Sequence, residues 1–343
     1  MRGPAARTTT VLAGALLLLV TGCSSSGDND KVQTIEPATA AASPATAAAP
    51  AGNVVSLAAA DVAASTYDGT TDTVALLTPD AKSLLVVPAA VGTVPGTADI
   101  DLRTVALPGG VASLSAPVDG TVAVPAGRAV VRVNLASGET TTTPVDGDVQ
   151  SVALLGDGRL AVGTADGSVR ELDASGTETH RVTGLVSVDA LGVTGDQLTA
   201  LDRRQTSVTD VKLADGRLGM ALRAGEGATN LVTDHVGRVL VTDTTGGELI
   251  SLTTDPLMMH QRYPVPNSPY AIAVDETTNL VWVTVTGTNE VIGFDLSSGI
   301  PVEKHRYPTV RQPNSVAVDG KTGALYVASA AGDGLQRIDT RGQ

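Results

Sequence analysis

Two stretches near the C-terminus repeat at a fixed spacing, and this repeat constrains the fold more than any other feature of the chain. Residues 269–283 read PYAIAVDETTNLVWV and residues 313–327 read PNSVAVDGKTGALYV, in register at an offset of 44 residues. Each copy has an apolar stretch, a short polar turn and a second apolar stretch, which predicts two strands joined by a tight hairpin. Repetition of such a hairpin at a fixed interval is typical of stacked structural repeats.

Weaker copies of the hairpin pattern precede the clear pair. They cover residues 228–242, 186–200, 149–163, 111–124 and 74–87. Four of their turns contain Asp beside Gly or Pro, the turn of residues 228–242 contains Asp234 and Gly237, and Asp-Gly between short apolar runs is typical of a β-hairpin. A third predicted strand follows in most copies, and the units have about 40 residues each, the usual length of a four-stranded blade. We therefore predict an all-β fold, a β-propeller of seven four-stranded blades.

The last predicted blade lacks a fourth strand, because little chain follows its third strand at residues 335–339. An unpaired blade edge would promote aggregation. The first apolar segment of the chain after its N-terminal region is Asn53–Ala58. We expect this segment to close the propeller as the missing strand, so that the propeller domain comprises residues 53–343.

The N-terminus has the pattern of an export signal. Arg2 and Arg7 precede an apolar run at residues 11–20, which is too short to span a bilayer. The run leads into LVTGC at residues 19–23, which resembles the bacterial lipobox. This resemblance implies a lipoprotein signal peptide over residues 1–22 and a lipid on Cys23, and therefore a protein held on the cell membrane outside the cytoplasm. An ordinary signal peptide followed by an unrelated cysteine is the alternative.

Ala, Thr, Pro and Ser dominate the chain from Cys23 to about residue 52. This stretch has no hydrophobic period, so residues 23–52 are predicted to form a disordered tether between the lipid and the propeller. The net charge of −13 and the 2 % aromatic content argue against a nucleic-acid partner, which requires a basic surface and usually stacking side chains.

The signature Pro-x-x-Val-Ala-Val-Asp, followed by Leu-Tyr-Val, resembles the YncE-like and NHL-like bacterial β-propellers. The resemblance is specific over residues 269–343 and architectural over residues 65–265. In these families, the connections between second and third strands and those from an outer to the next inner strand meet on one face, which carries the ligand or partner. By position, this implies the candidate binding residues Asn267, Ser268, Asn289, Arg311, Gln312, Asn314, Asp333, Asp166, Arg203 and Arg204.

Three functions remain open from the sequence. The chain has no G-x-S-x-G, H-E-x-x-H or C-x-x-C motif, so catalytic and metal-binding residues are unassigned. The first hypothesis is a non-catalytic module that recruits a protein or a cell-envelope ligand. The alternative is a metal-dependent hydrolase similar to propeller lactonases, in which Asn289, Asn314 and a carboxylate such as Glu226 or Glu290 hold a divalent cation; no cofactor is otherwise identified. The third is a docking subunit of an envelope assembly.

Two further sets of residues have simpler interpretations. His260 and His305 occupy similar places in neighbouring repeats and could ligate a metal, but an outer strand with its polar side chains in solvent is favoured. Asp275 and Asp319 follow the first strand of each clear repeat. We interpret them as turn-forming residues rather than catalytic ones.

Overall fold

The structure is a computed structural model that describes residues 1, 3, 33–45, 48–58, 60–94 and 102–341. Almost all of the predicted signal peptide, together with Cys23, lies outside these residues, so both assignments stay predictions. Thr34–Gln343 form one compact unit, distinct from Met1–Gln33. In the described part of the chain, no helix is long and apolar enough to cross a membrane.

Regular structure consists of antiparallel strands that form seven sheets, designated blades I to VII in chain order. β1 (Asn53–Val55) precedes them. Blade I contains β2 (Ala64–Asp68), β3 (Thr73–Leu77), β4 (Ser83–Pro88) and β5 (Arg103–Ala106). Blade II contains β6 (Thr121–Pro125), β7 (Ala129–Asn134) and β8 (Thr140–Pro144). Blade III contains β9 (Val149–Leu154), β10 (Leu160–Thr164), β11 (Val169–Leu172) and β12 (Glu178–Val182). Blade IV contains β13 (Ala190–Thr194), β14 (Gln197–Asp202), β15 (Ser207–Lys212) and β16 (Arg217–Arg223).

The remaining three blades continue this order around the ring. Blade V contains β17 (Ala228–Thr233), β18 (Arg238–Asp243), β19 (Glu248–Thr254) and β20 (Leu257–Pro264). Blade VI contains β21 (Pro269–Asp275), β22 (Leu280–Val285), β23 (Glu290–Asp295) and β24 (Val302–Pro308). Blade VII contains β25 (Pro313–Asp319), β26 (Ala324–Ser329) and β27 (Leu335–Asp339), with β1 as its fourth strand. A 3₁₀ turn at Gly156–Gly158 joins β9 to β10. The predicted seven-bladed propeller is confirmed.

The first two blades differ in detail from the sequence prediction. Residues 74–87 are the second and third strands of blade I, not its first hairpin, because β2 supplies the innermost strand. In blade II the first position is held by an irregular segment: the amide of Ser115 donates to the Ala123 carbonyl (3.0 Å), and the amide of Ala123 donates to Ser115 Oγ (2.9 Å). One bridge, Val118 to Thr121, completes this edge. Pro117 lies in this segment and has no backbone N–H to donate to a neighbouring strand, which explains why the segment is not a regular strand.

Apolar side chains fill the spaces between successive blades. Among the residues that the structure describes, seven separate clusters of buried side chains occupy the seven blade interfaces, including the one between blades VII and I. Most of these residues are Val, Leu and Ala, as the aromatic-poor composition requires, and Trp282 is fully buried between blades VI and VII. Full burial of a Val or Leu side chain contributes about 1.5–3 kcal/mol, so the ring depends on many similar contacts.

The ring closes through the N-terminal strand, as predicted. β1 pairs with β27 in antiparallel register, with Asn53 opposite Arg337 and Val55 opposite Leu335. The Tyr326 hydroxyl, on blade VII, donates to the carbonyl of Ala89, which follows β4 in blade I (2.6 Å). Closure therefore covers the edge strand of blade VII and joins the last blade to the first.

The turn-forming role of the two repeat aspartates is also confirmed. The Asp275 Oδ1 atom accepts the amide of Thr277 (2.9 Å), and Asp319 Oδ1 accepts the amide of Lys321 (2.8 Å). Both carboxylates are buried beneath their hairpins. Each satisfies backbone donors that the turn would otherwise leave unpaired.

Candidate functional site

One end of the propeller, the loop face, carries the connections between second and third strands and those from each fourth strand to the next blade. Two fully buried aspartates fix these connections to each other. Asp243, at the end of β18, accepts the amides of Gly227 (2.8 Å) and Gly246 (3.0 Å). Asp202, at the end of β14, accepts the amides of Val186 (2.8 Å) and Ser187 (3.1 Å) in the same manner. Buried side-chain hydrogen bonds therefore join the connections of the loop face.

Residues 34–45, the docked segment, lie across the loop face. The amide of Ile35 donates to the Arg204 carbonyl (2.8 Å), and Arg203 Nη2 donates to the Ala38 carbonyl. Within the predicted tether of residues 23–52, residues 34–45 are thus bonded to the loop face, whereas residues 23–32 lie outside the described part of the chain and the disorder predicted for them stays a prediction. Composition alone led to that prediction, because the segment has little to bury. Hydrogen bonds from polar loop residues to its main chain hold it instead.

Gln312 makes the most contacts with the docked segment. Its Oε1 atom accepts the amide of Ser43 (3.0 Å), and its Nε2 atom donates to the Ala41 carbonyl (3.1 Å). The amide of Ala41 donates to Ser268 Oγ (3.0 Å). Nε2 also donates to Asn314 Oδ1 (3.0 Å), which orients the glutamine side chain.

The residues at Ser43 and Pro44 are held from both sides. The Ser43 hydroxyl donates to the Thr286 carbonyl (2.7 Å) and accepts the amide of Gln312 (2.9 Å). Asn289, only 4 % exposed, donates through Nδ2 to the Pro44 carbonyl (3.0 Å) and accepts the Gln312 amide through Oδ1 (3.3 Å). The Ser43 side chain therefore has both its donor and its acceptor satisfied.

Several of these loop residues have a left-handed backbone although none is glycine. The φ angles are 70° at Asn267, 67° at Ser268, 54° at Asn289 and 51° at Gln312. Asn tolerates this region, whereas Ser and Gln enter it less readily, at a cost of about 1–2 kcal/mol. Asn267 contributes through its main chain, since its carbonyl accepts the amide of Gly287 (3.0 Å).

Arg311 and Asp333 form an ion pair beside the docked segment. Arg311 Nε and Nη2 each donate to the Asp333 carboxylate at 3.0 Å, and the arginine amide donates to the same group (3.3 Å). The hydrogen bond from Arg311 lowers the pKa of Asp333, and the same bond raises the pKa of Arg311. The pair therefore remains ionised at neutral pH and leaves no free carboxylate for a cation.

Asp166 lies apart from the other candidates, on blade III. Its Oδ1 atom accepts the hydroxyl of Thr164 (2.6 Å) and the amide of Ser168 (3.1 Å). The Thr164 hydrogen bond lowers the pKa of Asp166, and Arg170 lies 3.7 Å from its Oδ2 atom. These contacts give Asp166 a turn-stabilising role.

The structure brings Ser268, Asn289, Gln312 and Asn314 together around residues 41–44, with Arg203 and Arg204 at residues 35–38. It does not bring them into the central channel. That channel contains a cavity of about 520 Å³ lined by the innermost strands, including Ser151, Ala273 and Ala317, and by none of the candidate residues.

The arrangement at the loop face does not match a cation site. The side-chain oxygens of Asn289 and Asn314 both accept N–H donors from Gln312. Glu290 accepts Arg306 Nη1 (2.8 Å). Within the described ranges, no group of three or more His, Cys, Asp or Glu side chains could hold a metal ion.

The two repeat histidines lie on outer strands. His260 is exposed on β20, and the His305 ring on β24 stacks against Trp282, with 5.7 Å between ring centroids. The neighbouring arginines are paired, Arg262 with Glu248 and Arg306 with Glu303. The outer-strand interpretation is therefore the one the structure supports.

Sequence reasoning missed Ser43, the carbonyl of Thr286, and Gln336, whose Nε2 donates to the Ala51 carbonyl (2.7 Å). Ser43 lies in a segment that composition marks as featureless. Gln336 is the single uncharged polar residue in its buried strand β27, which is a signal for a specific hydrogen bond.

No known family model matches the chain, and no curated protein matches it. Solved structures do match. Hydrazine synthase of Kuenenia stuttgartiensis is 14 % identical with a TM-score of 0.67, over 88 % of this chain and 100 % of that chain. Virginiamycin B lyase from Staphylococcus aureus is 13 % identical with a TM-score of 0.66, over 83 % and 96 %. The RRP9 WD40 repeats are 14 % identical with a TM-score of 0.68, over 82 % and 91 %.

The likeness is one of fold. At these identities it shows a β-propeller and carries no activity or partner to this chain.

Proposed function

We propose that the protein is a lipoprotein anchored outside the cytoplasmic membrane, and that its loop face recruits a protein or cell-envelope partner without catalysis. One observation carries the recruiting role: side chains of Ser268, Asn289 and Gln312 bond main-chain groups of a peptide segment. A face that makes such bonds has the donors and acceptors that peptide recognition requires. Propeller folds host both enzymes and scaffolds, so the fold alone does not decide between them.

The sequence supports the anchor. Cys23 is the single cysteine of the chain and directly follows the lipobox-like residues. The net charge of −13 favours a soluble domain that partners with proteins rather than nucleic acids. Substitution of Cys23 by Ser is expected to move the protein from the membrane fraction to the soluble fraction of the cell. An unchanged distribution would contradict lipid anchoring.

Two threonines at opposite ends of blade VI allow a matched test of recruitment. Thr288 lies in the exposed turn between β22 and β23 on the loop face, and Thr278 lies in the exposed turn between β21 and β22 on the opposite end. A photo-crosslinking residue is introduced at each position in the full chain, and adducts formed in cells are identified by mass. We expect defined protein or envelope adducts from position 288 and not from position 278.

Equal yields from both positions would indicate non-specific collision, and no adduct from position 288 would contradict recruitment through the loop face. Thermal melting of both variants checks that the propeller is intact.

A further inference from the structure

We propose that the loop face of blades IV to VII is a groove for a linear segment of a partner protein, in which a Ser-Pro step is flanked by small, uncharged residues. We also propose that residues 34–45 occupy this groove in cis as a competitor. The groove is defined by Arg203, Ser268, Thr286, Asn289 and Gln312. This inference rests on the proposed recruiting function and adds to it the chemistry of the ligand and a means of control.

The groove contacts mainly the peptide backbone. The Gln312 side chain donates to the carbonyl of residue 41 and accepts the amide of residue 43. Its amide group therefore bonds the segment through one donor and one acceptor, as the main chain of a paired strand would. Ser268 and Asn289 bond a further amide and a further carbonyl on either side. Because these bonds address main-chain groups, a segment from another protein can satisfy them equally well.

Specificity comes from the position of Ser43. Its hydroxyl donates to the Thr286 carbonyl and accepts the Gln312 amide, at 2.7 and 2.9 Å. A side chain without a hydroxyl would remove the donor to the carbonyl of Thr286, a fully buried residue, and would leave the Gln312 amide only its longer bond to Asn289 Oδ1 (3.3 Å). A buried polar group that loses its partner costs about 1–3 kcal/mol, so the groove distinguishes serine from an apolar residue of similar size.

Size and charge restrict the rest of the ligand. A methyl group on Gly227 would lie 2.8 Å from the Ala38 side chain, so the segment passes close to the main chain of the face there. Residues 37–45 contain no charged side chain. The one charged groove residue that bonds the segment, Arg203, donates to a carbonyl. Small, neutral residues are therefore what this surface accommodates at residues 37–45, whereas the Glu36 side chain is exposed to solvent.

The sequence of the segment shows why a serine is needed. PATAAA occurs at residues 37–42 and again at residues 44–49, so two registers seven residues apart would present the same side chains. They differ at the next position, which is Ser43 in the first copy and Pro50 in the second. Proline has neither the hydroxyl nor the N–H that Gln312 accepts at Ser43. The Ser43 contacts thus select the docked register.

The docked segment is held weakly enough to be replaced. Most of residues 34–45 remain exposed, and the one large apolar side chain, Ile35, is 38 % exposed. The hold depends on hydrogen bonds, each of which contributes about 0.5–1.5 kcal/mol net. Attachment in cis gives the docked segment an effective concentration in the millimolar range. A partner segment must therefore bind the groove more tightly than the docked segment, or be present at a higher local concentration, to replace it.

The test uses a fluorescent synthetic peptide with the sequence of residues 34–45, added to the full chain. Wild-type protein is expected to bind it weakly, because the cis segment fills the groove. Ser43→Val in the protein weakens the cis segment, and we expect at least tenfold tighter peptide binding, measured by fluorescence anisotropy. Adding Gln312→Ala to that variant is expected to abolish the gain. A peptide carrying the same Ser-to-Val change is expected not to bind.

Gln197→Ala is the matched control, because Gln197 lies at a hairpin on the opposite end of blade IV and its side chain bonds only Lys212 among the described residues. It should leave peptide binding as in wild type. Equal peptide affinity of wild-type and Ser43→Val proteins would overturn the inference. So would unchanged binding after Gln312→Ala. Amide hydrogen exchange gives an independent reading: Ser43 is expected to be protected in wild type and unprotected in Gln312→Ala.

The outcomes separate this inference from the proposed function. If position 288 yields cellular adducts but the peptide does not bind Ser43→Val protein, recruitment stands and the groove assignment is wrong. If the peptide binds as expected but no adduct forms in cells, the groove stands and recruitment is contradicted. A wild-type dimer in sedimentation that dissociates with Gln312→Ala would assign the groove to a second copy and overturn the cis arrangement.

Discussion

Tyr326 joins the last blade to the first through a single buried hydroxyl group. Its side chain is 1 % exposed, its hydroxyl donates to the Ala89 carbonyl (2.6 Å), and its ring stacks on Tyr67 with 6.3 Å between centroids. Burial raises the pKa of Tyr326 to about 12 from 10.0. Burial, and then the hydrogen bond to Asp72, raise the pKa of Tyr67 as well.

Because the pKa of Tyr326 is raised, the free energy of unfolding is expected to fall at alkaline pH. The folded state keeps the phenol proton more tightly than the unfolded state, so the contribution is complete below pH 10 and declines as pH rises towards about 12. A shift of this size corresponds to about 3 kcal/mol. We expect Tyr326→Phe to reduce the fall in the free energy of unfolding between these pH values, measured by urea titration. An unchanged pH dependence would contradict the assignment. Tyr67→Phe is expected to reduce this fall too, because the pKa of Tyr67 is raised as well.

At the loop face, the sequence allowed the location of Asn289 and Gln312 to be predicted but not their contacts with the docked segment. Asn289 and Gln312 follow from the repeat, because connections at equivalent places in each blade meet at one end. Their contacts with Pro44 and Ser43 join residues 245 and 269 positions apart. No local pattern encodes such a pairing, and the docked segment has no apolar period to reveal it.

The closing strand is the shortest element whose loss would open the ring. β1 has three residues, and Gly334 lies against it: a methyl group there would be 2.3 Å from the Val55 carbonyl oxygen, at a φ of 97°. Gly237 has a similar φ of 88°, but its nearest neighbour would be 3.6 Å away. The two glycines therefore separate backbone strain from contact with β1.

Gly237→Ala is expected to lower the free energy of unfolding by about 1–2 kcal/mol through strain alone. Gly334→Ala has the same strain and also displaces β1, so we expect a loss larger by about 2 kcal/mol or more. Denaturant unfolding of both variants measures the difference. Equal losses would mean that β1 contributes little to closure.

Elements with local signals were predicted more accurately than those without them. The hairpins of blades VI and VII carry both a period-two apolar pattern and an aspartate turn, and β21, β22, β25 and β26 lie where the repeat places them. Blade I was misassigned because the Pro79-Asp80 turn between β3 and β4 resembles a first hairpin. β2, ASTYD, has one fully buried residue, so its sequence lacks the apolar signal of an inner strand.

At the scale of the whole molecule, the N-terminal region contains two attachments with different roles. The docked segment contacts the loop face from outside, whereas residues 53–58 include Val55 and Leu57, which are buried in the cluster between blades VII and I. The first attachment covers a surface. The second completes the ring.

Two deletions distinguish these roles. Removal of residues 34–45 is expected to leave one cooperative thermal transition within a few degrees of wild type, because few apolar contacts are lost. Removal of residues 34–58 exposes the edge of β27 and is expected to give insoluble protein or a loss of several kcal/mol. Similar melting of the two truncated proteins, followed by circular dichroism, would contradict the distinction.

The path of the docked segment also decides how the molecule responds to tension. A pull on the chain before residue 34 is borne first by the bond between Ile35 and Arg204 on blade IV, and then by the bonds at Ala38, Ala41 and Ser43 in turn. Bonds at Pro44 and Ala51 follow along the chain, so the pull would load all of these bonds one after another and would reach β1 only after they had broken. Mechanical force on the N-terminus would therefore uncover the face before it opened the ring.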